Sequence, residues 1–308
     1  MSQSPFFCSE LSRAASEKTF GTASVGDVWL LIEYPLGWES QAFEQSLLSL
    51  DIKTHLTRLL KTIPRSRLLF IKQASVFDKK ISFFVIRTRE RDPSVVRFQL
   101  DNYDQLLDLD IAAAASGVAP AGGELTNAPL YLVCTHGRRD KCCAKFGFPL
   151  YKSLREQLGA SVWQSSHVGG DRFAANLVCF PHGLFYAHAT EESAREIIKQ
   201  YTGRRIVPDK YRGRACYANQ VQAAEFFIRT EAKLYGLDDM KFSSQERLSE
   251  TSWRVRFAGR DGEGAHEARV ARRLSEFRNF NTCHAVEEKR LPVFVLENYI
   301  SLDETARE

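Results

Sequence analysis

Three cysteines crowd into one short segment near the middle of the chain, CTHGRRDKCCAKFG at 134–147. Thiolates beside an imidazole favour iron–sulfur clusters, zinc or Cu(I) over hard cations. Eight residues separate Cys134 from Cys143, too many for the Cys-x-x-Cys spacing of a zinc ribbon or a thioredoxin. A loop of this length can wrap a cluster of two irons. The spacing alone leaves buried structural thiols as the alternative.

A histidine in the segment SSHVGGDR (165–172) is the next candidate ligand. His167 is followed by Val168 and two glycines, which would let the backbone pass close to a bulky group. His136 is a candidate hydrogen-bond donor to a bound sulfur. Basic side chains near both motifs would balance an anionic cluster and form a docking patch for an acidic partner. These are Arg138, Arg139, Lys141, Lys145 and Arg172.

The elements predicted around these motifs would bring them together. The order from residue 130 is β-α-β-loop-β-β-α, the order of a thioredoxin-like fold. In such a sheet the cysteine loop and the histidine loop meet at one end, where a site can form. The predicted elements are a strand at 130–133, a polar loop at 134–147, a helix at 149–158, strands at 161–164, 176–180 and 184–188, and a helix at 191–201.

The rest of the chain predicts an α+β protein in several parts. We expect an N-terminal α+β domain over 1–115, a linker rich in Gly, Pro and Ala over 116–129, a thioredoxin-like domain over 130–203, and a C-terminal α/β extension over 204–308. The predicted N-terminal elements are strands at 29–34, 67–73, 81–88 and 95–100 and helices at 40–62 and 106–115. The predicted C-terminal elements are a helix at 220–235 and strands at 253–257, 268–273 and 293–297.

Composition narrows the class of protein. The chain has 308 residues, 26% of them charged, with a net charge of +4, which excludes an acidic disordered chain and a polybasic nucleic-acid arm. No apolar run is long enough to span a bilayer, and the first residues lack the pattern of a secretory signal. Seven cysteines, an odd number, suit a reducing compartment. We expect a soluble cytoplasmic protein.

The two central motifs, VCTHGRRDKCCAKFGFPL and SSHVGGDRFAANLV, resemble the sucrase/ferredoxin-like family. Its members carry a C-terminal thioredoxin-like ferredoxin domain. The opening CSELSRAASEKTFGTA and the strand WLLIEYP are similar to the N-terminal part of bacterial members. The resemblance covers roughly residues 8–240. Despite the family name, no carboxylate pair stands in a motif that would support glycosidase chemistry.

The resemblance implies a ligand set. In fungal members Cys-x8-Cys and His-x3-His hold a [2Fe–2S] cluster through two cysteines and two histidines. Carried over, Cys134 and Cys143 match the thiolates and His167 matches the first imidazole. Asp171 stands where the second histidine would be, and Cys142 stands where the family often has arginine. The fourth ligand is therefore open between Cys142 and Asp171.

These observations predict an iron–sulfur electron-transfer protein, an electron carrier rather than a stand-alone enzyme. Its partner would be a reductase or acceptor with an acidic surface, with no role for nucleic acid or a membrane. Two alternatives stay open. One is a thiol oxidoreductase that uses Cys142 or Cys143, with a pKa lowered by the basic neighbours. The other is a zinc-binding structural module built from the same residues.

Overall fold

The computed structural model describes residues 6–73, 80–262 and 264–302. These form a mixed α+β fold with a ten-stranded mixed sheet and a separate four-stranded antiparallel sheet, which confirms the predicted α+β class. The helices are α1 (Cys8–Ala14), α2 (Leu50–Thr62), α3 (Ile111–Ser116), α4 (Lys141–Leu158), α5 (Glu191–Thr202) and α6 (Asn219–Ala232). The strands are β1 (Val28–Glu33), β2 (Ser66–Lys72), β3 (Ile81–Arg87), β4 (Ser94–Leu100), β5 (Gly123–Thr126), β6 (Leu130–Cys134), β7 (Val162–Ser165), β8 (Leu177–Phe180), β9 (Leu184–Tyr186), β10 (Tyr211–Arg214), β11 (Met240–Arg247), β12 (Ser252–Gly259), β13 (Ala265–Asn279) and β14 (Lys289–Leu302).

The large sheet joins the N-terminal part of the chain to the part that carries the cysteine motif. Its strand order is β10-β9-β8-β6-β7-β2-β1-β3-β4-β5. The join is the short antiparallel pairing of β2 with β7, which sets Ile71 opposite Ser165. Strands from the predicted N-terminal domain and from the predicted ferredoxin domain therefore share one sheet. The division of the chain into domains stays a prediction.

Part of the predicted linker is a strand. β5 pairs with the outer side of β4 and forms the edge of the sheet. Its residues are exposed or half-buried, so backbone hydrogen bonds hold it rather than side-chain burial. An exposed edge strand of this kind has little hydrophobic pattern in its sequence. The Gly- and Pro-rich composition around it therefore predicted a linker rather than a strand.

The central strands are buried on both faces. In β6, Tyr131 and Val133 pack in a cluster with α4 and α5, whereas Leu132 and Cys134 face the opposite side, where they pack in a cluster with Trp29 of β1. Side chains alternate across a strand, so covering both faces requires an unbroken apolar run. LYLVC in β6 is such a run. Cys134 is the last residue of this run and lies at the edge of the sheet.

Only the first half of the predicted polar loop over 134–147 is a loop, and the second half is helical. α4 begins at Lys141, not at 149, and Pro149 lies inside it. The helix begins there because the Asp140 carboxylate accepts the backbone N–H of Cys142 at 2.8 Å, an N-cap bond. Cys142 and Cys143 therefore stand in the first turn of a helix. Successive helical residues point about 100° apart, so the two thiols face different surroundings.

The C-terminal part is a meander of β11–β14 with α6 packed against it. The three strands predicted there are present and longer than expected, and β11 was not predicted. β11 reads MKFSSQER and is mostly exposed, so it has no alternation of apolar and polar residues to reveal it. Each helix in the described ranges is too short or too polar to span a bilayer.

Stability is expected to fall in acid because of one partly buried histidine. His182 lies in the turn between β8 and β9, and its Nδ1 is 2.7 Å from the Tyr201 hydroxyl. Burial, with Arg214 and Arg204 nearby, lowers the pKa of His182 to about 3. The unfolded chain, with a histidine pKa of about 6.5, binds more protons between these values, so stability is lost as pH falls through that window.

From pH 7 to pH 5 this group is expected to remove about 2 kcal/mol of unfolding free energy. Urea unfolding at the two pH values checks the expectation in wild type and in His182→Gln. The variant should show a pH dependence smaller by that amount. His284→Gln removes an exposed histidine and is the matched control. An equal pH dependence in wild type and His182→Gln would contradict the assignment.

Candidate metal centre

Cys134, Cys143 and His167 converge on one point. Their donor atoms all lie within 4.8 Å of one another. β6 and β7 are parallel neighbours with Cys134 opposite Ser165, so both strands end at the same edge of the sheet. Cys134 ends β6, and His167 follows β7 by two residues. Cys143 reaches the same point from the first turn of α4. The chain thus brings two thiols and an imidazole to one sheet edge.

Asp171 lies at this centre too. Its Oδ1 is 3.0 Å from Nδ1 of His167 and 3.7 Å from Sγ of Cys143. The carboxylate is buried at the start of a short 3-10 turn. Of the two candidates for a fourth ligand, Asp171 therefore lies beside two of the donors, His167 and Cys143, but outside the group whose donor atoms are all within 4.8 Å of one another.

Cys142 lies in a different group. Its Sγ is 3.6 Å from Sγ of Cys8 and 3.2 Å from Sγ of Cys283, and Asp140 completes the group. The structure does not bring Cys142 to the centre of Cys134, Cys143 and His167. The second group was missed from the sequence because Cys8 and Cys283 stand near opposite ends of the chain.

The two thiols of the first centre shift each other's pKa in opposite directions. The neighbouring Cys143 thiol lowers the pKa of Cys134 well below its ordinary value, and Cys134 raises the pKa of Cys143 well above its ordinary value. Burial opposes charge on His167, but the neighbouring Cys134 thiolate raises its pKa. Burial raises the pKa of Asp171. Two thiols, an imidazole and a carboxyl group side by side suit the binding of a metal cation.

His136 positions the histidine loop. Its Nδ1 accepts the backbone N–H of His167 at 3.2 Å, and its Nε2 lies 2.7 Å from the Glu39 carbonyl, which fixes the proton on Nε2. Both ring nitrogens are therefore engaged by backbone groups, so the ring is not the predicted donor to sulfur. The backbone of His136 takes that role instead, since its hydrogen bond contributes to the lowered pKa of Cys134.

The two glycines of the histidine loop make room for a buried arginine and a serine. Gly169 and Gly170 have φ values of +91° and +82°, which strongly favour glycine. A Cβ on Gly170 would lie 2.5 Å from Arg212, and one on Gly169 would lie 2.3 Å from the Ser24 hydroxyl. The Arg212 guanidinium is fully buried and donates to the Gly169 carbonyl at 2.9 Å. Sequence reasoning missed Arg212 because it lies far from both motifs along the chain.

The predicted basic residues occupy different settings. Arg138 is exposed and pairs with Glu39, Arg172 pairs with buried Glu17 at 2.6 Å, and Lys141 lies over aromatic rings. An open cavity of about 750 Å³ borders His167 and Asp171. Its basic lining residues are Arg139, Arg172, Arg212, Arg272, Lys289 and Arg290.

The fold and the centre define a mixed α+β protein with a buried thiol–imidazole–carboxyl group at a sheet edge. The sequence pattern of the sucrase/ferredoxin-like family matches residues 19–213, and the chain belongs to that family. Altered inheritance of mitochondria protein 32 from Meyerozyma guilliermondii is 35% identical over 98 residues, which cover 27% of this chain and 34% of that protein. The chain thus matches about a third of that relative's length. No solved structure matches the chain.

Proposed function

We propose that Cys134, Cys143, His167 and Asp171 bind a [2Fe–2S] cluster and that the protein transfers electrons. The observation that carries the proposal is the convergence of two thiols, an imidazole and a carboxylate at one buried edge. Thiolates are the usual ligands of such clusters, and histidine replaces cysteine in some of them. When bound, the cluster takes up and releases one electron.

The donor set fits this group. Nδ1 of His167 is buried and makes no aligned hydrogen bond, although Asp171 lies 3.0 Å away. A buried imidazole nitrogen that makes no aligned hydrogen bond, beside two cysteine sulfurs, is suited to a metal. One neutral imidazole raises the reduction potential above the roughly −400 mV of four-cysteine plant types, toward the roughly −150 to +300 mV of two-histidine Rieske centres. An anionic Asp171 ligand would lower it relative to a second histidine.

A thioredoxin-like arrangement of residues 130–203 is part of the proposal. The order β7-β6-β8-β9 supports it, with β6 parallel to β7 and antiparallel to β8. α4 connects the parallel pair, and α5 follows the β8–β9 hairpin. This is the β-α-β, β-β-α order that the sequence predicted.

We also propose a redox partner with an acidic surface, in the cytoplasm. The support for the partner is the basic lining of the cavity that borders His167, since opposite charge speeds encounter and orients docking. The support for the compartment is the cysteine content: seven is an odd number, and three of them crowd into one motif, which suits a reducing compartment better than a disulfide framework.

The test is the metal content of protein purified without oxygen. We expect about two irons and two acid-labile sulfides per chain and a red-brown colour, the signature of a [2Fe–2S] centre. Cys134→Ser and Cys143→Ser should each abolish the colour and the iron. Cys216→Ser changes a half-buried cysteine outside both groups and should retain both. A colourless wild type would favour a thiol enzyme or a zinc module over this proposal.

A second pair of variants identifies the fourth ligand. Asp171→Asn is expected to lose iron, because the carboxylate lies next to the donors of His167 and Cys143. Cys142→Ser is expected to keep iron and sulfide, because its thiol lies in the other group. Iron lost from Cys142→Ser and kept in Asp171→Asn would reverse the assignment.

A further inference from the structure

Three thiols form a compact triangle apart from the proposed iron centre. The sulfur atoms of Cys8, Cys142 and Cys283 are separated by 3.2, 3.5 and 3.6 Å. Cys8 and Cys142 are fully buried, and Cys283 is half-buried. The carboxylate oxygens of Asp140 lie 3.9 and 4.0 Å from the Cys8 sulfur. Four donor groups thus surround a single small volume.

The three thiols come from three remote segments. Cys8 begins α1, Cys142 lies in the first turn of α4, and Cys283 lies in the connection between β13 and β14. Cysteines that serve only as small buried side chains would not be expected to converge from three separate segments on one point. The backbone N–H of Ser9 donates to the Cys142 sulfur, and that of Cys8 donates to the Cys283 sulfur, both at 3.4 Å. Hydrogen bonds of this kind stabilise thiolates.

Asp140 holds two of these segments in place. One oxygen accepts the N–H of Cys142 at 2.8 Å, and the other accepts the N–H of Cys283 at 2.7 Å. A carboxylate offers about four lone-pair sites, so it can keep both bonds and still bind an ion. The chain thus supplies three sulfurs and one oxygen on a carboxylate that is already oriented.

We propose that Cys8, Cys142, Cys283 and Asp140 bind one zinc ion in a closed structural site. Two thiolates on one tetrahedral zinc, each about 2.3 Å from it, lie about 3.8 Å apart, close to the sulfur separations of 3.2–3.6 Å. A cluster with several irons places thiolates on different metals and so spreads them farther apart. Three sulfurs within 3.6 Å therefore favour a single ion, and soft ligands favour zinc over hard cations.

The surroundings suit a structural rather than a catalytic ion. Apolar side chains cover the site, namely Phe6, Phe7, Leu11, Phe146, Ala174, Phe280 and Ala285. Structural zinc sites are four-coordinate and closed, whereas catalytic sites keep a position open. α1 has seven residues, too few for a stable isolated helix. The ion would fasten α1 and the β13–β14 connection to the start of α4, next to Cys143 of the proposed iron centre.

Zinc and iron are measured together in the same preparations. Wild type is expected to contain about one zinc per chain, which is additional to any iron. Cys8→Ala and Cys283→Ala should each lower zinc by more than about tenfold. Cys134→Ser should lose iron and retain zinc, and Cys216→Ser should retain both metals. Failure of the proposed iron centre would leave the zinc result unchanged, so the two outcomes are distinguishable.

A measurement on the unaltered chain guards against variants that do not fold. Cys8, Cys142 and Cys283 should be alkylated more than about tenfold faster after zinc is removed by a chelator, since bound thiolates are shielded. Co²⁺ added to the zinc-free protein should give thiolate-to-cobalt charge-transfer absorption, which Cys283→Ala should lack. Equal alkylation rates with and without chelator would overturn the proposal. A Cys142–Cys283 disulfide that persists in protein purified under reducing conditions would also overturn it. So would a Cys283→Ala protein that loses iron and keeps zinc.

Asp140→Asn tests the carboxylate both as the oxygen ligand and as the acceptor of the Cys283 N–H, since an amide keeps only one acceptor oxygen. Asparagine is as good an N-cap as aspartate, so α4 should still begin at Lys141. Zinc affinity, measured by competition with a coloured chelator, should fall by about 10- to 100-fold. Wild-type affinity in Asp140→Asn would remove the carboxylate from the proposed ligand set.

Discussion

Glu225→Gln is expected to lower the free energy of unfolding by about 3–5 kcal/mol, because it leaves two buried guanidinium groups without their counter-charge. Glu225 lies on α6 and is completely buried. Its Oε1 is 3.1 Å from Nε of Arg229 and 3.6 Å from the guanidinium of Arg214. Its Oε2 accepts the Tyr211 hydroxyl at 2.9 Å. Glutamine keeps the shape but brings no negative charge.

The loss of stability in Glu225→Gln should affect more of the protein than α6 alone. Arg214 belongs to β10 at the edge of the large sheet, whereas α6 packs against β13 of the small sheet. Arg229 also donates to the carbonyls of Leu234 and Gly236, both at 2.8 Å, and so holds the segment after α6. The ion network therefore connects the two sheets through α6.

Urea unfolding followed by circular dichroism measures the effect. Glu231→Gln makes the same chemical change at an exposed position of α6 and is expected to stay within about 0.5 kcal/mol of wild type. Two equal midpoints for Glu225→Gln and Glu231→Gln would show that the buried charges do not depend on Glu225.

The elements that could be predicted from the sequence are those whose signal is local. The strand at 29–34, the two strands at 176–180 and 184–188 and the helix at 191–201 were correctly predicted, and they are β1, β8, β9 and α5. The pairing of β2 with β7 was not, because a strand's own residues do not specify its partner. β11 was missed because it is an exposed strand without hydrophobic alternation.

The same distinction applies to the two thiol groups. Cys134, Cys143 and His167 stand in two recognisable motifs, and the strands that carry them are neighbours. Cys8 and Cys283 stand alone in the sequence, and only the tertiary fold brings them to Cys142. One local signal does distinguish Cys142 from Cys143: Asp140 before them follows the N-cap rule, which predicts a helix start there and different directions for the adjacent cysteines.

Gly147→Ala is expected to destabilise the protein and to disrupt the centre at Cys134. A Cβ at Gly147 would lie 2.0 Å from the Cys134 carbonyl oxygen, a distance that requires the backbone to move. Gly147 lies one turn after Cys143 on the same face of α4. Its missing side chain lets the helix approach the end of β6 closely enough for Cys143 to reach Cys134. An added methyl group would separate the two thiols.

The sign of the change in unfolding free energy shows whether the contact with Cys134 or the helix propensity of alanine dominates. In an unobstructed helix, Gly→Ala stabilises by up to about 1 kcal/mol. Overpacking against fixed backbone costs about 1–3 kcal/mol and sometimes more, so we expect a net loss of stability together with loss of bound iron. Gly37→Ala, whose Cβ meets nothing within 4 Å, is the control. A Gly147→Ala protein with wild-type iron and an unfolding midpoint at or above wild type would mean that the helix can move away without opening the site.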